Sequence, residues 1–540
     1  MLKGFRTYVL FVIFIGLAQP QEVIGNTLSS DSIGRVDFWL KLRDGVMLEC
    51  TKFYPQPKAD SPAKGWPVMV FCHGYGSNKD ETIDNVAARA KLGFYTFTYS
   101  MRGQGKSGGL SNLISQTEMH DLFEVIDYIK KDTLAQDSTR IGIFGGSQGG
   151  TIPFMAACNG LQVRSIMSDL AIPQFASNWI ENGCIKSTLY YSLDYDSTEV
   201  RFDPRVLKLR HYILSSKKED WDSLAAEMPK GRDFADKLAN CETPILFRNV
   251  WQDQFFNTAM CFQNLKKFNF PFKMYFGAIE GHGSDSNEGE SAKHGMQQSL
   301  WINYWLLDMK NGILDSARYS YASSRYPIAQ HQWSYSYFNS PVWPCPDVQP
   351  FRLYLLQNNT LNEKSDSVSS RFLLLKNNIK KKTNMTLFIN SQYEGALFNS
   401  LFKKNNIEFK SDKLKSDLQL IGQPIAHLFY SSTATVCQIN IQIWEIAQDG
   451  SEAFVTRINY TDRHNIPNSI KSNTIGGQAN SHIFKKGSRI KIILTNFDAV
   501  SKGHFPLNCP FVLPVLEKGE SKIFTGKQQA SYIELPLKSK

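Results

Sequence analysis

The feature that most restricts this 540-residue chain is Gly145-Gly146-Ser147-Gln148-Gly149-Gly150. It follows the apolar run Arg140-Ile141-Gly142-Ile143-Phe144, which reads as a strand, and precedes Thr151 to Cys158, which reads as a helix. The spacing is G-x-S-x-G in its required context of strand, sharp turn and helix. The turn is too tight for side chains beside the serine, so its hydroxyl stands out above the sheet. The helix N-terminus behind it favours developing negative charge. The flanking elements favour this reading over a glycine-rich turn with an incidental serine.

The surrounding pattern fits. Trp66 to Cys72, Gly93 to Tyr99 and Arg140 to Phe144 are near-continuous apolar runs. Between the last two, Met119, Leu122, Phe123, Ile126 and Ile129 recur at helical spacing. Apolar strands alternating with amphipathic helices imply a parallel sheet covered on both faces. Pro244 to Phe247 and Phe272 to Phe276 supply later strands. The stretch between is helical, aromatic and charged, and reads as an insertion over the sheet. After about residue 350 short alternating runs such as Val436 to Trp444 and Ser488 to Leu494 indicate an all-β sandwich. The expected divisions are a leader over 1–25, the sheet domain over 26–164 and 241–312, a helical cap over 165–240, a connecting segment over 313–349 and the sandwich over 350–540.

The leader is expected from Lys3 and Arg6 followed by the apolar stretch Tyr8 to Ala18, the pattern of a secretory signal peptide. That stretch is short of the roughly 20 residues a spanning helix needs. Secreted or periplasmic placement is therefore expected, with no integral membrane segment after signal cleavage. Asn358, Asn384 and Asn459 begin N-x-T sequons. A net charge of +10 is thinly spread, with its densest run at Lys380-Lys381-Lys382, so no nucleic-acid partner is expected. Nine cysteines are too sparse for a disulfide scaffold and show no paired metal-ligand spacing. No metal and no cofactor are expected. Gly103-Gln104-Gly105-Lys106-Ser107 ends like a phosphate-binding loop, but Ser100 stands where the leading glycine belongs and no helix follows.

A serine hydroxyl needs a base and an orienting acid. With a Ser, acid, His chain order, His282 in Gly281-His282-Gly283-Ser284 lies just past the strand ending at Phe276. Asp253 in Trp251-Gln252-Asp253-Gln254 lies on the loop after the preceding strand. His294 and His211 fall inside helical runs and are worse placed. His282 is thus expected to take the Ser147 proton and return it to the leaving group, while Asp253 fixes the imidazole tautomer. One oxyanion donor is the backbone N–H of Gln148. The second is expected from His73-Gly74-Tyr75-Gly76-Ser77, as a backbone N–H or the Tyr75 hydroxyl. In the insertion, Trp179, Glu181, Tyr190, Tyr191, Asp194 and Tyr195 cluster. Glu181 and Trp179 are the expected substrate-binding residues there, against the alternative of cap core and solvated surface.

Taken together the chain resembles the X-Pro dipeptidyl-peptidase and cocaine-esterase-type serine hydrolases. Arg102-Gly103-Gln104-Gly105-Lys106-Ser107-Gly108-Gly109 looks like their R-G-x-G-x-S-x-G loop. Pro341-Val342-Trp343-Pro344 leading to Arg352-Leu353-Tyr354-Leu355 resembles their entry to the C-terminal domain, and Phe484 to Ile490 a late strand pair of it. The resemblance implies an α/β-hydrolase domain with inserted helical cap, followed by an all-β jelly-roll sandwich. It further implies a Ser-Asp-His mechanism on Ser147, Asp253 and His282, a small ester or peptide substrate, and a tyrosine hydroxyl in the oxyanion hole, here Tyr75. Three departures leave peptidase and esterase both open. Gln148 replaces a common Tyr, Val250-Trp251 replaces Gly-Trp, and Gly277 to Gly281 replaces a Gly-Pro-Trp segment. The rival reading is a catalytically inactive carbohydrate- or surface-binding protein. Oligomeric state is left open.

Overall fold

The computed structural model describes residues 32–56, 61–134, 136–215, 217–280, 282, 288–325, 335–378, 406–498 and 511–539. The leader expected over 1–25 and the sequon at Asn384 lie outside the described residues. The strands β1 (Ile33–Lys41), β2 (Met47–Pro55), β3 (Trp66–Cys72), β4 (Tyr95–Tyr99), β5 (Gln136–Gly146), β6 (Ser165–Asp169), β7 (Ile245–Gln252), β8 (Phe272–Glu280) and β9 (Tyr319–Arg325) lie in the order β1-β2-β4-β3-β5-β6-β7-β8-β9. The β1–β2 and β2–β4 pairs are antiparallel and the rest parallel.

The helices are α1 (Ile83–Lys91), α2 (Gln116–Lys131), α3 (Gln148–Cys158), α4 (Phe175–Trp179), α5 (Ser187–Ser192), α6 (Pro204–Leu214), α7 (Lys218–Glu227), α8 (Ala259–Phe262) and α9 (Glu288–Leu306). They explain why the central strands are apolar throughout. Val68 and Val70 of β3 face a core shared with Leu122, Val125 and Ile126 of α2 and Ile152 of α3. The alternate residues Met69 and Phe71 face a second core with Val86 and Ala90 of α1 and Trp301 and Leu306 of α9. A sheet buried on both faces needs no polar side. The start of α2 is set by a capping box, in which Ser115 Oγ accepts from Thr117 N–H at 3.1 Å and Glu118 Oε2 accepts from Ser115 N–H at 2.8 Å.

Two sequence boundaries move. Residues 165–169, expected in the cap, form β6 inside the central sheet, and the insertion begins after Leu170. A five-residue strand carrying two serines has too short an apolar run to stand out. The segment 313–349, expected as a surface connection, contributes β9, which pairs in parallel with β8. Its serines suggested exposure, yet Ser320, Ser323 and Ser324 are buried and hydrogen-bonded. Ser323 Oγ lies 2.5 Å from Ser481 Oγ, and Ser324 Oγ lies 2.9 Å from His482 Nδ1.

The C-terminal domain is the expected sandwich. Asn406–Lys410, Arg489–Thr495, Cys437–Ile446 and Glu452–Asp462 form one antiparallel sheet. The facing layer includes Gln349–Leu355, Tyr532–Ser539, Ile425–Ser432 and Lys471–Gly476. Leu353, Leu428, Ile441, Ile492 and Ile533 meet between them. The layer is continuous with the hydrolase sheet, because Asn480–Phe484 pairs in parallel with the end of β9. No helix among the described residues is long and apolar enough to cross a membrane.

Candidate active site

Ser147 sits on the turn between β5 and α3 with φ 57° and ψ −121°, a strained conformation for a residue with a side chain. The turn is over-determined by its surroundings. Ser147 N–H donates to the Asp169 carbonyl at 2.9 Å, and the Ser147 carbonyl accepts from Gly150 N–H at 3.1 Å and Thr151 N–H at 2.8 Å. A Cβ on Gly145 would stand 2.5 Å from the Gly149 carbonyl oxygen and 2.6 Å from that of Cys72, and one on Gly149 would enter the Cys72 carbonyl. The glycines therefore let α3 lie directly against the ends of β3 and β5.

Asp253 follows β7 and His282 follows β8, so both lie at the C-terminal edge of the parallel strands, where β5 delivers Ser147. His282 Nδ1 is 2.8 Å from Asp253 Oδ2, with both side chains buried. The other carboxylate oxygen accepts Phe255 N–H at 2.7 Å and Phe256 N–H at 3.2 Å. These bonds set the side-chain angle of the acid. Rings of Phe255 and Phe256 approach the imidazole at 4.6 and 5.5 Å. Trp251, two residues before the acid, donates its Nε1–H to the Ala322 carbonyl at 2.8 Å and stacks on Phe276 at 4.8 Å.

The loop after β3 is held by His73. Its Nδ1–H donates to the Gly74 carbonyl at 2.7 Å and its Nε2 accepts Met101 N–H at 2.9 Å, which assigns a neutral ring. Burial lowers its pKa to about 4. Tyr75 packs edge-on against Tyr195 at 5.6 Å, and its hydroxyl is 3.5 Å from Ser111 Oγ. That is too long for a normal O–H···O bond. Burial, with Glu118 and Tyr195 adding, pushes the phenol above its ordinary range, so it keeps its proton and can donate it.

Gln104 was not singled out from the sequence as a site residue. Its Oε1 accepts Gly76 N–H at 2.8 Å, and its amide pairs with that of Gln148, Nε2 to Gln148 Oε1 at 3.0 Å. One buried carboxamide thus joins the loop after β3 to the residue after Ser147. The segment that resembles a phosphate loop is a scaffold for this contact. Ser107 Oγ donates to the Ser100 carbonyl at 2.6 Å, and Arg102 Nε donates to Asp121 Oδ2 at 2.6 Å.

Of the two expected substrate-binding residues, Trp179 lies in the cap core and Glu181 borders a cavity. Trp179 is 1% exposed and sits in the cap core against Phe175 at 5.6 Å and Phe256 at 6.2 Å. It supports a ring that touches His282 rather than offering a surface to a ligand. Glu181 accepts from Asn178 Nδ2 at 2.9 Å and Asn257 Nδ2 at 3.0 Å, with Lys186 Nζ at 3.7 Å. Burial nevertheless holds its carboxyl above the usual range. It borders a cavity of about 510 Å³ between the cap, α8 and the sandwich, and its oxygens are committed to neighbouring amides. Sequence periodicity could not separate these roles, because a short irregular insertion has no repeating face to mark what is inside. Among the described residues no cluster of His, Cys, Asp and Glu could hold a metal ion.

A strand-turn-helix serine, an Asp-His pair and this sheet order define a serine hydrolase of the peptidase or esterase type. Residues 44–278 match the model of the X-Pro dipeptidyl-peptidase (S15 family), and residues 321–534 match that of the X-Pro dipeptidyl-peptidase C-terminal non-catalytic domain. With both of its domains matched, the chain belongs to the X-Pro dipeptidyl-peptidase (S15) family. An uncharacterized 31.7 kDa protein of Escherichia coli is 34% identical over 107 residues, 19% of this chain and 37% of its own length. The chain thus spans little more than a third of that relative. A Bacillus cereus protein described as a Xaa-Pro dipeptidyl-peptidase is 21% identical over 73% of this chain and 70% of its own. The fold is shared with a CocE/NonD family hydrolase from Staphylococcus aureus, at TM-score 0.72 and 15% identity over 96% of this chain and 100% of that one. It is shared also with an alpha-amino acid ester hydrolase, at 0.68 and 13% over 96% and 100%.

Proposed function

We propose that Ser147, His282 and Asp253 act as one unit and hydrolyse a small acyl ester or peptide bond through a covalent acyl-enzyme. The 2.8 Å contact between His282 Nδ1 and Asp253 Oδ2 carries this reading. It fixes the tautomer that leaves Nε2 as the base. His282 takes the Ser147 proton as Oγ attacks the carbonyl, and the tetrahedral oxyanion is met by Gln148 N–H and by Tyr75, through its hydroxyl or its loop. The proton then passes to the leaving alcohol or amine. Water repeats the sequence on the acyl-enzyme, releasing the acid and restoring Ser147.

Within the class, the cap favours an uncharged acyl group. A substrate with a free α-ammonium needs an available carboxylate. Glu181 is engaged by Asn178 and Asn257, and Asp194 is ion-paired with Arg210. The rings nearest the base are Phe255 and Phe256. Turnover of simple aryl esters is expected to exceed that of X-Pro anilides at equal concentration. A panel of both checks this, and preference for the anilides would reverse the assignment. The basic and apolar leader at Lys3 to Ala18 supports export from the cytoplasm. N-terminal sequencing of the mature protein from the extracytoplasmic fraction tests it, and a retained Met1 in a cytosolic fraction would refute it.

A further inference from the structure

The loop bearing Asp253 is gripped by the other domain. Between the sandwich strands Lys471–Gly476 and Asn480–Phe484, Gly477, Gln478 and Ala479 turn toward the hydrolase sheet. Gln478 is 8% exposed, and its Nε2 donates to the backbone carbonyl of Asp253 at 2.6 Å. Its own main chain is anchored, since Gln478 N–H donates to the Arg457 carbonyl at 2.8 Å and Thr456 Oγ1 donates to the Gln478 carbonyl at 2.6 Å. Asn257 closes the joint from the opposite side. Its Oδ1 accepts Ala479 N–H at 3.1 Å and its Nδ2 donates to the Gly477 carbonyl at 3.0 Å. A Cβ on Gly477 would stand 2.5 Å from the Arg457 carbonyl oxygen, so this close approach needs glycine.

The turn from 253 to 257 is therefore held at both ends by the sandwich, while the carboxylate of Asp253 is held from within by Phe255 and Phe256 N–H. Packing between domains can place a donor on any carbonyl. Here it falls on the residue whose carboxylate orients the imidazole. We infer that Gln478 is a positioning residue for hydrolysis, supplied by the domain outside the catalytic sheet and acting through Asp253. The inference rests on the Ser147–His282–Asp253 reading. Without the amide the Asp253 peptide is free to turn, the contact to His282 loosens, the imidazolium loses support and the base titrates at lower pH. The charged groups facing the joint include Lys186 and Glu181 of the cap and the buried Arg457–Asp498 pair of the sandwich, and replacing a neutral glutamine by methionine leaves that charge unaltered.

The test uses the full-length chain with Gln478→Met, similar in length but without a donor, and Gln478→Glu, which sets a carboxylate against the carbonyl. Rates on an aryl ester are measured as kcat and KM across pH, with thermal melting as the fold control. Gln478→Met is expected to lose about tenfold in kcat with KM within about twofold, and the acidic limb of kcat/KM should move to lower pH. Gln478→Glu should lose more. If either variant accumulates poorly, fluorophosphonate labelling per folded molecule, scaled by near-ultraviolet circular dichroism, gives the same reading. Wild-type kcat with an unmoved limb in a folded variant overturns the inference alone. A folded wild type that neither turns over esters nor labels overturns the underlying triad reading instead.

Discussion

Gln104 ties two parts of the candidate site together with a single side chain. Its carboxamide bonds Gly76 N–H on one side and the Gln148 amide on the other. Gln104→Leu removes both contacts and strands the buried Gln148 amide and the half-buried Gly76 N–H, a loss of roughly 1–3 kcal/mol. A fall of about tenfold or more in kcat on an aryl ester is expected, with a smaller change in KM. An unchanged kcat in the folded variant would show that the oxyanion loop needs no such tie. The places of Ser147, Asp253 and His282 at the ends of their strands were legible because a nucleophile elbow has a fixed spacing and the two later residues follow strands in a fixed order. Gln104 was not, since nothing local marks a glutamine that bonds across 44 residues. His73 adds a pH dependence with a definite sign. Its folded pKa of about 4 lies below the ordinary histidine value near 6.5. The unfolded chain therefore binds that proton first, and the stability contributed by the neutral ring is complete above pH 6.5 and is lost as pH falls toward 4. Nitrogen NMR shifts of His73 are expected to remain those of a neutral ring at pH 5; a protonated ring in the folded protein at that pH would contradict this.

At the scale of elements, the elbow is a meeting of β3, β5 and α3 that tolerates no added atom. In Gly149→Ala the new methyl enters the Cys72 carbonyl, and neither the backbone that carries the methyl nor the backbone it meets can step away. A destabilisation of about 3 kcal/mol or more is expected, read as lost soluble yield or a markedly lower melting temperature. Gly108→Ala is the control, because its Cβ would meet Met47 only at 3.5 Å; equal behaviour of the two variants would contradict the packing argument. Strands β3 and β5 and helix α2 could be read directly, since long apolar runs and helical spacing survive without context. The short β6 and the serine-rich β9 could not, because their burial is imposed by neighbours distant in sequence. Glu181 and Trp179 belong to the same lesson. An aromatic and a carboxylate in an insertion can line a pocket or close an interface, and only the contacts of Trp179 with Phe256 and of Glu181 with Asn257 decide it.

Across the whole molecule, the sandwich is a structural continuation of the hydrolase sheet through β9 and Asn480–Phe484, with Gln419 Nε2 donating to Ser323 Oγ at 2.7 Å in the buried seam. Cutting the chain near residue 349 would expose that seam and release the Asp253 loop. The truncated hydrolase domain is expected to be insoluble or inactive, and a soluble fragment with wild-type kcat would show the domains to be independent. The layering of each part, helices on both faces of one sheet and then two packed sheets, was legible from its own periodicity. Their joint was not, since glutamine, asparagine and serine pairs across an interface leave no pattern in one chain. The proposed mechanism rests on one hydroxyl, that of Ser147. The most direct measurement is peptide mapping of the fluorophosphonate adduct on the folded full-length protein, with Ser147→Ala and Asp253→Asn beside it. A single adduct on Ser147, absent in Ser147→Ala and formed at least a hundredfold more slowly in Asp253→Asn, is the expected result; an adduct on another residue, or none on folded wild type, would contradict it.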